Sequence, residues 1–268
     1  MILTQFDPAR HAVIDPDMIF DPIPGFPQTI VSVFSRELFD RLVELLGGEE
    51  ITGTHDVDGH WPIYRVRYGG CEVAFVKARL GAPACVGLFE DVLALGGRRI
   101  ILTGNCGVLD PAIRDLGLIV PRRAIRDEGT SYHYAPAADT IEVNREYAPL
   151  FESLCQEFGY PYVEGTTWTT DAFYRETPNK VKARREAGAI TVEMECAAMQ
   201  AMCDFRGVSF FQYLYAGDSL AAPEWEIRSL SGRAKLDEKE RIALLGFELA
   251  ARIESSCVTS RTSDTKSI

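Results

Sequence analysis

Residues 189–199 read Ala-Ile-Thr-Val-Glu-Met-Glu-Cys-Ala-Ala-Met, which sets two carboxylates, Glu193 and Glu195, on either side of Met194. The stretch joins a strand-like run to a run of small residues that can start a helix. Acids so close to an apolar junction call for a partner. A sugar supplies one, because vicinal hydroxyls donate to a carboxylate while the apolar face of the ring packs against a thioether. The same spacing also suits two acids in the first turn of a helix, where the macrodipole favours negative charge. Spacing alone leaves both readings open.

The elements that would position these residues follow from periodicity and punctuation. Thr29–Phe34 is a β-branched run, and Ser35 caps a helix over Arg36–Leu46 that stops at Gly47-Gly48. Ile63–Tyr68 and Cys71–Lys77 form a hairpin around Gly69-Gly70. Ala84–Leu95 is a helix closed by Gly96-Gly97, and Arg99–Thr103 is a buried strand expected to end in the turn Gly104-Asn105-Cys106-Gly107. Strands at Ile119–Arg126 and Phe210–Tyr215, with helices at Tyr147–Phe158 and Glu238–Ile253, complete the pattern. Strands that alternate with helices and end in glycine-rich turns predict a three-layer α/β fold with ligands at the C-terminal edge of the strands.

A chain of 268 residues with 46% hydrophobic content can bury one large core, so one catalytic domain is expected over 29–254. It is preceded by an arm, 1–28, carrying five prolines, and followed by a Ser/Thr-rich segment, 255–268, expected to be disordered. The net charge of −11 is spread along the chain, which argues against nucleic-acid binding through phosphate neutralisation. Seven cysteines form no CxxC pair and no zinc spacing, and they read as reduced core residues; no metal is expected. The N-terminus lacks a basic stretch leading into an apolar run, and no run approaches a membrane span, so a cytoplasmic protein without membrane contact is expected.

With these motifs in order, the chain resembles the nucleoside phosphorylase type I family, which includes purine nucleoside phosphorylases, uridine phosphorylases and adenosylhomocysteine-type nucleosidases. The family's Val-Glu-Met-Glu-x-Ala-Ala is matched at 192–198. Gly81-Ala82-Pro83 with Glu90-Asp91, Thr103–Gly107, Asp127–Tyr134, Thr170–Tyr174 and Gly217-Asp218 are similar to further family motifs over roughly residues 70–225. The resemblance implies a central mixed, twisted sheet flanked by helices, no cofactor, and a homo-oligomer, dimer or hexamer, in which a neighbour completes the pocket. The arm with His11 is a candidate for that contribution. It also implies that Glu195 accepts the ribose hydroxyls, Met194 packs on the sugar, Glu193 belongs to the ribose site with its surroundings lining the base pocket, and Phe173 stacks on the base. Asp218 follows a buried strand, where a raised pKa would let it protonate a purine N7; it could equally cap a helix or close an Asx-turn.

The chain departs from the family where phosphate is held. There is no arginine between Asp21 and Arg36, where the family carries Gly-Asp-Pro-x-Arg, and Leu102 stands in place of the strand arginine. Arg79 is the candidate replacement, with the backbone N–H groups of Gly104, Asn105 and Gly107 as a cradle for the anion; Arg126 and His133 are further candidates. The Gln-x-Arg with which uridine enzymes read uracil is replaced by Arg175–Asn179, whereas Asp127–Tyr134 is similar to the uridine branch. The expected activity is therefore cleavage of the N-glycosidic bond of a purine or uridine-type ribonucleoside with phosphate as acceptor. A hydrolytic nucleosidase and a non-catalytic nucleoside-binding protein are the alternatives.

Overall fold

The computed structural model describes residues 2–57 and 59–264. Among the described residues ten strands and six α-helices follow one another: β1 (Thr29–Val33), α1 (Arg36–Leu45), β2 (Glu49–Asp56), β3 (Gly59–Tyr68), β4 (Cys71–Lys77), α2 (Ala82–Leu95), β5 (Arg99–Val108), β6 (Leu118–Asp127), β7 (Thr140–Glu142), α3 (Ala148–Phe158), β8 (Tyr162–Thr170), α4 (Pro178–Glu186), β9 (Ala189–Glu193), α5 (Cys196–Arg206), β10 (Ser209–Ser219) and α6 (Leu236–Asp264). All strands belong to one mixed sheet. From β5 the ladder runs through β1, β4 and β3 to β2 at the edge; on its other side β5 pairs β10, which passes through β6, β8 and β9 back to β5. Part of the sheet thus closes on itself.

Burial on both faces explains the near-continuous apolar runs of β1, β5 and β10. One face carries α1, α3 and α6, with Phe39, Phe75, Phe151, Phe211 and Phe247 at the centre of that layer. The other carries α2 and α5, packed through Phe89, Val92, Met199 and Met202. The expected three-layer α/β architecture is therefore observed. The arm lies beside α2 and α5, where Phe6 meets Phe205 edge-on at 6.5 Å and Phe26 is buried.

Local signals hold in several places. Ser35 caps α1 by accepting from Leu38 N–H at 3.3 Å, and the turn between β3 and β4 uses Gly69 and Gly70 at φ +56° and +80°, a conformation open to glycine. Two expectations differ from the structure. Gly104–Gly107 is not a turn but the second half of β5, paired with Leu214–Asp218 of β10. Its glycine at 104 serves close packing, since a Cβ there would lie 2.5 Å from the Phe34 ring. The closing helix runs on into the segment expected to be disordered, as far as Asp264; Ser255 and Ser256 donate their hydroxyls to the carbonyls of Ala251 and Arg252 within it. Residues 265–268 lie outside the described residues.

β10, which ends at the site described below, is fixed from the side by Asn144. This buried residue, at φ +57°, donates its amide to Pro121 O at 2.8 Å and to Gln212 O at 2.6 Å, and accepts from Gln212 N–H at 2.8 Å. Removing it strands buried peptide groups of both β6 and β10. Asn144→Ala should therefore cost about 3 kcal/mol in chemical denaturation; a loss under about 1 kcal/mol would show that these bonds do not hold the strand.

Candidate active site

The sheet's C-terminal edges enclose a cavity of about 500 Å³, within the range of small-molecule sites. Its wall brings together seven of the residues singled out from the sequence: Asn105 and Gly107 of β5, Phe173, Glu193, Met194, Glu195 and Asp218. Arg79 and Gly104 are not part of that lining.

The two acids of the Glu-Met-Glu motif have different tasks. Glu193 ends β9 and turns its carboxylate onto the start of α5. Its Oε2 accepts from the backbone N–H groups of Glu195 and Cys196 at 2.7 and 2.6 Å, and its Oε1 accepts from the hydroxyls of Thr169 and Thr167 at 2.6 and 3.4 Å. Thr169 in turn accepts from Ala197 N–H at 3.1 Å. Three N–H groups that a helix start leaves unpaired are satisfied in this way. The helix-terminus reading of the spacing thus holds for Glu193, although the residue still borders the cavity.

Glu195 is only 4% exposed, and its carboxylate is met by backbone N–H groups alone: Gly81, at 2.6 Å to Oε1, and Met194. Gly81 presents that N–H from φ +87°, ahead of α2. Burial, followed by the neighbouring charge of Glu193, pushes the Glu195 carboxyl up to about 8. Burial raises Glu193 as well, against the four hydrogen bonds that favour its charged form. The proton of the pair therefore rests on Glu195. A carboxyl held by two backbone donors against the four on Glu193, and facing a cavity beside the Met194 thioether, is placed to bind hydroxyls.

Asp218 is aimed by a β-bulge. The register between β10 and β5 slips between Ala216 and Asp218, and the extra residue, Gly217, could carry no side chain because a Cβ would stand 2.8 Å from that of Asn105. Burial raises the Asp218 carboxyl, opposed by a 2.7 Å hydrogen bond from Trp225 Nε1–H and by the charge of Arg228. Trp225 belongs to the loop that crosses the cavity after β10 and is itself half exposed. That loop is tied down by Ser229, which bonds Asp115, and by the buried Lys239, whose ammonium donates to the carbonyls of Ser229 and Ser231 at 2.6 Å each.

A third acid, Glu176, also lines the cavity, raised to about 7 by burial and then by the charge of Asp218. Neither Glu176 nor Trp225 was found from the sequence. The only sequence signal was the proximity of Glu176 to Phe173-Tyr174, where the family reads its base. Phe173 stands 46% exposed beside Tyr174, ring centroids 4.2 Å apart.

The cationic candidates lie elsewhere. Arg79 forms an ion pair with Asp56 and lies over the Trp61 ring at 4.9 Å, one residue before Leu80 of the cavity wall. Arg126 is buried as a staple of its loop, donating to Ser131, Ala135 and Pro136. His133 is exposed, and His11 bonds Asp15 at 3.0 Å. None of the cavity's lining residues is Lys, Arg or His. Among the described residues no group of three or more His, Cys, Asp or Glu converges as a metal site, six cysteines are free, and no helix is long and apolar enough to cross a membrane.

Residues 29–244 match the model of the phosphorylase superfamily. The chain is similar to the uridine phosphorylase of Thermococcus kodakarensis, 27% identical over 69% of this chain and 68% of that one, and to the guanosine phosphorylase of Halorubrum lacusprofundi, 24% identical over 88% and 91%. Its fold is that of the purine nucleoside phosphorylase of Toxoplasma gondii (TM-score 0.71, 17% identity, 84% of this chain and 90% of that one) and of the uridine phosphorylase of Vibrio fischeri (0.71, 18%, 88% and 94%).

The raised pKa of Glu195 has a definite sign. A carboxyl that is harder to ionise when folded stabilises the protein most below its unfolded value near 4.5, and that contribution is lost as pH rises towards 8. Glu195→Gln should therefore melt close to wild type at pH 5 and several degrees higher at pH 8, by an amount on the order of 3–10 °C. Equal melting temperatures at both pH values would refute the strained-acid assignment. Glu193→Ala, by contrast, should lower the melting temperature at every pH, because it uncovers the start of α5.

Proposed function

Because the chain belongs to the phosphorylase superfamily, we propose that it is a nucleoside phosphorylase, a pentosyltransferase that detaches the base of a ribonucleoside and leaves the ribose on phosphate. The observation that carries this reading is the meeting, in one cavity, of the buried Glu195, the Met194 thioether, the Phe173 ring and the raised acid Asp218.

In this reading Glu195 accepts the ribose hydroxyls, Met194 covers the sugar face and Phe173 stacks on the base. As the C1–N bond lengthens, the sugar gains oxocarbenium character, which the negative charge of the Glu193–Glu195 pair favours. Asp218 gives its proton to the departing base, and a phosphate oxygen closes on C1. Two acids at the base end, Asp218 and Glu176, suit a purine better than uracil, which places acceptors on both sides of its N3–H. Phosphate is met where Asn105 and Gly107 line the cavity, and Arg79 supplies the cation by exchanging Asp56 for the anion. Gly104, inside the ladder, serves by packing. The enzyme needs no cofactor besides phosphate as co-substrate. It works in the cytoplasm as a homo-oligomer, dimer or hexamer, with the proline-rich arm and His11 towards a neighbour, on free nucleosides rather than nucleic acid or membrane.

A second reading is favoured by the cavity wall, which carries carboxylates and no cation. Water instead of phosphate would then attack the sugar, with a carboxylate of the cavity taking its proton.

The two readings part on acceptor dependence. With a panel of nucleosides, base release should require phosphate; equal release without it would overturn phosphorolysis in favour of hydrolysis. Asp218→Asn should lower kcat by about 100-fold or more while leaving KM within a few-fold, and an unchanged kcat would remove it as the acid. Arg79→Ala should raise the phosphate KM by about tenfold or more, with the nucleoside KM unmoved.

A further inference from the structure

Beside the cavity lies a second, larger space of about 740 Å³, between α4 and the loop that follows β10. Three residues, Glu176, Leu220 and Trp225, line both spaces. All three belong to the surroundings of Asp218: Trp225 bonds it, Glu176 feels its charge, and Leu220 lies two residues beyond it. Glu193, Met194 and Glu195 border only the inner cavity. The inner cavity therefore adjoins the outer groove at its Asp218 end and not at its Met194–Glu195 end.

Resting on the nucleoside reading above, we propose that this groove is a subsite for an apolar substituent carried at position 6 of a purine, so that the enzyme accepts 6-substituted purine nucleosides. The argument is one of direction and of lining. A purine whose N7 faces Asp218 presents its 6-position on the same edge, next to N7, and a group attached there leaves the inner cavity between Glu176 and Trp225. Beyond them it meets Pro178, Val181, Ala221, Ala222 and Pro223, an apolar floor. The charges of Lys182 and Glu186 lie on the exposed side and pair with each other at 3.9 Å, and Arg185, which also lines the groove, donates to Ala221 O at 3.4 Å. Trp225, 56% exposed, offers an indole face along the passage while its N–H stays on Asp218. An aryl or alkyl group on this floor is removed from water without stranding a polar partner, whereas a purine lacking the substituent leaves the floor untouched.

The test compares matched pairs, adenosine with N6-benzyladenosine and guanosine with O6-benzylguanosine, followed by base release. For whichever parent is turned over, the benzylated partner should show kcat/KM within about tenfold of it. Ala222→Trp, which fills the floor away from the reacting atoms, should lower the benzylated substrate by about 20-fold or more and the parent by less than about threefold. Val181→Phe narrows the same floor from α4 and serves should the first variant fold poorly. Turnover of a parent with none of its benzylated partner overturns the subsite and leaves the phosphorylase reading standing. Benzylated turnover that neither variant affects also overturns it, since the substituent then goes elsewhere. If no purine nucleoside is turned over at all, the purine reading falls and the subsite falls with it.

Discussion

The Glu193 carboxylate, buried at the point where β8, β9 and α5 meet, is what the site is built around. Its four hydrogen bonds join two threonines of one strand to the first turn of a helix, and they fix the chain direction at the residue where the motif must change from strand to helix. Once Glu193 is turned inward, Met194 and Glu195 have only the cavity to face. The threonines at 167 and 169, ordinary β-formers by type, are there for their hydroxyls as well as for the sheet.

The arrangement has an electrostatic consequence. Two carboxylates so near each other in a buried setting cannot both ionise freely, and the one with fewer donors keeps the proton. That acid is Glu195, the one facing the cavity. In the proposed reading a sugar that donates hydroxyls to it adds hydrogen bonds that favour its ionised form, so sugar binding and proton release are linked. Stability set aside within the protein is in this way recovered at the moment of binding. At the far end burial raises Asp218, and the charge of Asp218 adds to the burial that raises Glu176; in the proposed reading this serves an opposite need, an acid that still holds a proton when the base departs.

Much of this was legible from residue types. The Glu-Met-Glu motif located the cavity, the glycines and Ser35 located helix ends, and the long apolar runs located the buried strands. What escaped the sequence did so for identifiable reasons. β2 is an exposed edge strand whose residues do not alternate, and β8 mixes glycine and threonine in a way that no periodicity marks. Gly104–Gly107 reads as a turn, yet its glycine at 104 is needed for the approach of the Phe34 ring, a tertiary contact invisible to local rules. Glu176 and Trp225 lie in irregular segments that only the closed sheet brings against Asp218. Arg79 carried the right charge at the right place in the chain, and the structure shows it held by Asp56 and Trp61, partners distant in sequence.

The bulge at Gly217 bears on how such a site can change over generations. Straightening it would move Asp218 and everything after it to the opposite face of the sheet, and filling it with any side chain would collide with Asn105. Neither change can be made by degrees. The strand is thus locked in sequence space, and diversification of what the pocket accepts is channelled into the loop beyond Ser219, where residues are exposed and substitutions are graded rather than all-or-none.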